Sequence, residues 1–175
     1  WRGGCAGVAA TVVREAGDRR RVHLFDSFEG LPEPSDKDGP EAVSYSDGRG
    51  GGRLLTTGNC VASVEDVKDL FFNRLGLDPG NVVFHVGWFQ DTLPRDRDGV
   101  GPIALLRLDG DWYESTAACL RHLYPSVVSG GFVILDDYGQ WQGCRRAFEE
   151  YVQAQRLGAL DLKRIDYTGV YFVKP

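Results

Sequence analysis

Three short apolar runs end in acidic residues, and this arrangement limits the folds open to the chain more than any other feature. Val22-His23-Leu24-Phe25 closes on Asp26, Ile103 to Leu108 on Asp109, and Gly131 to Leu135 on Asp136-Asp137. Longer amphipathic stretches separate the runs, as in successive βα units. The pattern predicts an α/β fold: a mostly parallel central sheet, helices on both faces, and a C-terminal antiparallel hairpin. In open sheets of this kind ligands bind beyond the carboxyl ends of the strands. The strand-ending acids are therefore the first candidates for chemistry.

The remaining elements follow from local signals. A helix is expected over Cys5 to Glu15, ending near Gly17. Ser63-x-x-Asp66 reads as a capping box opening a helix whose apolar residues Val64, Val67, Phe71 and Leu75 share one face. Asn81 to Gly87 reads as a strand, and Leu93 to Pro102, rich in Pro and Asp, as a connection. The almost wholly apolar Ile103 run predicts a central strand covered on both faces. Helices are expected over Glu114 to Tyr124 and Gly143 to Arg156, and a hairpin from Leu162–Ile165 and Val170–Val173 around Tyr167-Thr168-Gly169. Residues 27–60, rich in Gly, Pro, Asp and Ser, read as a flexible loop or lid with little regular structure.

A chain of 175 residues supports one domain, residues 1–175. The 25 acidic and 20 basic residues give a formal charge of -5, which argues against a nucleic-acid partner. No apolar stretch approaches the roughly 18 to 20 residues that a membrane-spanning helix needs. Cys5, Cys60, Cys119 and Cys144 form no C-x-x-C pair, so reduced thiols in a cytoplasmic protein are expected. The chain begins at Trp1 and contains no Met, from which an N-terminally incomplete domain is expected.

If neighbouring strands bring Asp109, Asp136 and Asp137 to one edge, three carboxylates would repel unless a cation lay among them. All-oxygen donors favour magnesium or calcium over zinc. The alternative is that such acids only cap the following helices, and Asp111 before Trp112 fits that description. Asp26 lies 22 positions after Gly4, close to the spacing of about 20 at which an acid holds a ribose hydroxyl in nucleotide-binding βαβ units. The glycine turn itself, Gly3-Gly4-x-x-Gly7, departs from the full pattern and fits a dinucleotide as well as an adenosyl cofactor. Gly87-Trp88-Phe89 at a strand end offers aromatics for an adenine ring, or for the core. His23, His85 and His122 show no ligand spacing and read as structural.

Several blocks together resemble the macrocin O-methyltransferase family. They are Trp1-Arg2-Gly3-Gly4, Asp26-Ser27-Phe28-Glu29-Gly30-Leu31-Pro32, Gly87-Trp88-Phe89-Gln90-Asp91-Thr92-Leu93-Pro94, Leu106-Arg107-Leu108-Asp109-Gly110-Asp111-Trp112-Tyr113-Glu114-Ser115 and Gly130 to Gly139. They stand in the family's order over essentially the whole chain. The resemblance implies a class I, Rossmann-like methyltransferase that moves a methyl group from S-adenosylmethionine to a sugar hydroxyl of a macrolide- or aminocoumarin-type natural product, with magnesium. It implies that Asp109, Asp136 and Asp137 hold the metal and that Asp109 also takes the substrate proton. Arg2, Gly3, Gly4, Asp26, Ser27, Gly87, Trp88, Phe89 and Asp109 would hold the cofactor. It further implies a strand and helices before the W-R-G-G block, and a small glycosylated acceptor as the partner; a homo-oligomer is compatible with it.

The implied chemistry is coherent. A sugar hydroxyl is a very weak acid, and a divalent cation lowers its pKa enough for a carboxylate to serve as base. The rest is in-line positioning. Methylation of a catechol or another phenol would use the same metal. A nicotinamide-dependent oxidoreductase would use the glycine turn and Asp26 but leave the other acids idle. A non-catalytic binding module is the third alternative.

Overall fold

The computed structural model describes residues 1–175 and has the α/β order expected. Helix α1, Gly4–Glu15, precedes strand β1, Val22–Asp26. Gly7 faces Phe71 and Leu75 so closely that a Cβ there would lie 2.9 Å from Leu75 Cδ1, which explains a glycine on this helix face. Helix α2 is Gly39–Tyr45, and α3, Val64–Lys68, runs on into a π-helical turn over Asp69–Arg74. The capping box forms as its spacing predicts: Ser63 Oγ accepts the Asp66 amide at 3.1 Å. Strand β2, Val82–Val86, is followed by α4, Phe89–Asp96, then β3, Ile103–Leu108, and α5, Tyr113–Leu123. Strand β4, Val127–Leu135, α6, Gln142–Ala154, and the pair β5, Lys163–Arg164, and β6, Val170–Val173, complete the chain.

The strands form two sheets. β1 and β2 pair in parallel; β3 pairs in parallel with β4, which pairs antiparallel with β6, and β6 with β5. No ladder joins β1 to β3. On the four-stranded sheet, Leu106, Leu108, Val133, Leu135 and Phe172 face α5 and α6 and form the main core with Leu120, Leu123 and Phe148. A smaller core joins α1, α3 and the β1–β2 pair through Ala10, Val67, Phe71 and Val82.

Three expectations are corrected. Within residues 1–175, β3 is covered on one face only: Leu105, Phe132 and Val173 lie in register across β3, β4 and β6 and are 49%, 47% and 46% exposed. The stretch read as a connection from Leu93 carries helix α4, with Pro94 inside it. Burial of Thr92 and Leu93 outweighs the amide that Pro94 lacks. Residues 27–60 are not devoid of regular structure. They contain α2, and the segment closes on itself: Thr57 N–H donates to Leu31 O at 2.8 Å, the Gly51 and Gly52 amides donate to Pro34 O, and Arg53 donates twice to the buried Glu33 at 2.7 and 2.6 Å. Seven residues opening Gly-Pro are too few to display a helical period.

Candidate active site at the strand ends

The carboxyl ends of β1, β2, β3 and β4 border one cavity of about 270 Å³. Its wall includes Asp26 at the end of β1 and Ser27 after it, Trp88 and Phe89 after β2, Asp109 after β3 and Asp136 after β4. Each is there because a strand stops and the chain turns. After β1 the turn is an Asx turn: Phe28 N–H donates to Asp26 Oδ1 at 2.7 Å, and Ser27 Oγ donates to Gly30 O at 2.9 Å. After β2, Trp88 is the N-cap of α4, which begins with Phe89.

The glycine turn sits elsewhere. Arg2, Gly3 and Gly4 do not line the cavity, and neither do Gly87 and Asp137. Gly3 has φ 74°, and a Cβ there would lie 2.8 Å from Val67 Cγ1, so packing against α3 already demands a glycine. The Arg2 guanidinium lies over the Trp1 ring at 4.8 Å.

The acids gather differently from the expectation. Carboxylate oxygens of Asp109, Asp111 and Asp137 all lie within 4.8 Å of one another. Asp136 stands beside this trio and is held by Arg107, whose Nη2 is 2.8 Å from Asp136 Oδ1; Nη1 of the same guanidinium donates to Asp109 Oδ2. Asp111 does not cap α5. Its residue has φ 55°, its amide donates to Asp137 Oδ2 at 3.3 Å, and its Oδ1 accepts the Trp141 indole N–H at 2.9 Å. The capping role falls to Asp38, whose Oδ1 accepts the Tyr113 amide at 2.6 Å. The D-G-D spacing was the signal for Asp111. Gln90, Cys60 and Ser115, also on the cavity wall, carried none.

Burial drives the electrostatics. It pushes the Asp137 carboxyl up to about 8, helped by the charges of Asp111 and Asp109. Burial, and then Asp109, push Asp111 up to about 6 against the opposing Trp141 hydrogen bond. Asp136 is raised by burial and by Asp109, with Arg107 opposing. Of these four acids, the Arg107 guanidinium reaches two, Asp109 and Asp136. An all-oxygen, partly buried donor set with excess negative charge fits a hard divalent cation of the magnesium class.

Parallel βα units with a cavity at the strand ends, and superposition on a solved O-methyltransferase, place the chain in the class I methyltransferase fold. It belongs to the macrocin O-methyltransferase family, whose model matches residues 1–174. It is 41% identical over 174 residues to 8-demethyl-8-(2,3-dimethoxy-alpha-L-rhamnosyl)-tetracenomycin-C 4'-O-methyltransferase of Streptomyces olivaceus, covering 98% of this chain and 62% of that protein. It is 40% identical to demethyldecarbamoylnovobiocin O-methyltransferase of Streptomyces niveus, again over 98% of this chain and 62% of the relative. The chain thus spans less than two thirds of the length of these relatives. Among solved structures, the O-methyltransferase NovP superposes with a TM-score of 0.80 at 36% identity, over 99% of this chain and 68% of NovP. The calicheamicin methyltransferase CalS11 superposes with a TM-score of 0.66 at 25% identity, over 96% of this chain and 66% of that one.

Proposed function

We propose that the protein carrying this chain transfers a methyl group from S-adenosylmethionine to a hydroxyl on a sugar of a glycosylated natural product, with magnesium at the strand-end acids. The observation that carries the reading is the meeting of Asp109, Asp111 and Asp136, in one cavity, with an acid and two aromatics suited to an adenosyl group. Asp26 holds the ribose hydroxyls, and Trp88 and Phe89 flank the adenine. The relatives' names support a sugar acceptor over a phenol. A nicotinamide-dependent oxidoreductase would leave the acid cluster without a use.

When bound, the cation would lower the pKa of the coordinated hydroxyl. Asp109, Asp136 and Asp137 are the residues proposed to hold it. The resemblance assigns the proton to Asp109; Asp111 borders the same cavity, lies within the same acid cluster and is a second residue proposed for that step. Trp141 fixes the orientation of Asp111 through the indole hydrogen bond. Residues 27–60 form one wall of the cavity and would exclude water from it.

Isothermal titration with S-adenosylhomocysteine, with and without magnesium and with NADH as control, tests the cofactor; micromolar binding of the first and none of NADH is expected. Asp137→Ala should abolish magnesium-dependent turnover while leaving S-adenosylhomocysteine affinity within about threefold, since one carboxylate removed from a metal shell typically costs metal rather than nucleotide. An equal loss of both would remove Asp137 from the metal.

A further inference from the structure

Arg107 interrupts a strand that is otherwise apolar, Ile-Ala-Leu-Leu-Arg-Leu. Its neighbours Leu106 and Leu108 point into the core beneath α5, and its own side chain is only 28% exposed. A charged group so placed is costly unless it is paired. It is paired twice: one nitrogen of its fork reaches Asp109, at the end of its own strand, and the other reaches Asp136, at the end of β4. The guanidinium therefore bridges two strands. It also engages two of the carboxylates that a divalent cation would use.

We infer that Arg107 is the resident counter-cation of the acid cluster: it holds Asp109 and Asp136 together in the metal-free protein and competes with the metal for them. This rests on the magnesium reading above. Two effects of the guanidinium oppose one another. As a hydrogen-bond donor to metal ligands it orients them, which strengthens binding. As a positive charge within contact distance of the same oxygens it repels a doubly charged ion, and in a partly buried site with little screening the repulsion is the larger effect. With Arg107 between them, the Asp109 and Asp136 carboxylates do not repel unopposed.

The test is magnesium titration by calorimetry, with melting in EDTA, on the complete polypeptide and on Arg107→Gln and Arg107→Lys. Arg107→Gln, which keeps hydrogen-bonding groups and loses the charge, should bind magnesium about tenfold more tightly and melt lower in EDTA, with a larger upward shift on adding magnesium. Arg107→Lys, which keeps the charge, should bind within about threefold of the native affinity. Equal or weaker binding by Arg107→Gln overturns the inference while leaving the metal reading intact. Should Arg107→Gln not fold, a tenfold change in Arg107→Lys would overturn it by showing that fork geometry rather than charge governs the site. Absence of magnesium binding by the native protein overturns both.

Discussion

Asp38 shows how much one side chain can arrange. It is buried, its Oδ2 accepts the Ser35 amide and hydroxyl at 2.7 and 2.8 Å, and its Oδ1 accepts the first amide of α5. It thereby ties the 27–60 segment to the helix that follows Asp109 and Asp111. Gly143 of α6 passes so close that a Cβ there would lie 1.8 Å from Asp38 Oδ1, which fixes the glycine. Asp38→Ala is expected to destabilise the protein by about 2 to 4 kcal/mol, since several charge-assisted hydrogen bonds are lost and buried donors are left without partners. Chemical denaturation checks this, and a loss below about 0.5 kcal/mol would mean that solvent replaces the carboxylate. The sequence does not reveal that Asp38 caps α5, because the amide it accepts lies 75 positions away. Asp109, Asp136 and Asp137, by contrast, are legible as strand-ending acids. What sequence could not supply is the grouping, because whether Asp111 or Asp136 joins the trio depends on the left-handed turn at Asp111 and on Arg107.

Strands were more legible than helices because short β-branched runs with a clear terminator mark them, and β1 to β4 lie on those runs, although β4 begins at Val127, before the predicted Gly131. Helices α2 and α4 were missed for one reason: each contains Pro, at Pro40 and Pro94, and draws its stability from buried residues such as Ala42 and Leu93 rather than from propensity. The meeting of the β3 and β4 ends has a measurable consequence. An unfolded aspartate titrates near 3.9, whereas folding raises Asp111 to about 6 and Asp137 to about 8. Between about pH 4 and pH 8 the native state holds protons that the unfolded chain has released, so these groups make stability fall as pH rises through that window. In EDTA the melting temperature should therefore drop from about pH 5 to pH 8, and magnesium should largely abolish the drop by replacing the protons. A melting temperature that rises across this range in EDTA would contradict the shifts.

At the scale of the molecule, the two sheets are separate as ladders, yet their strand ends share one cavity, with Asp26 and Trp88 on one side and Asp109, Asp111 and Asp136 on the other. That division places the groups suited to a nucleoside on one sheet and the acids on the other, so a methyl donor and a hydroxyl acceptor would meet between them. The α/β class was legible from the alternation of runs, and the family from the ordered blocks. The exposed face at Leu105, Phe132 and Val173 was not, because pairing partners leave no trace in a strand's own residues. The most direct measurement is methyl transfer from labelled S-adenosylmethionine by the complete polypeptide to glycosylated macrolide and aminocoumarin acceptors, in magnesium and in EDTA. Label on a sugar hydroxyl, lost in EDTA and restored by magnesium, is the expected result. Transfer that EDTA leaves unchanged, or label confined to a phenol, would contradict it.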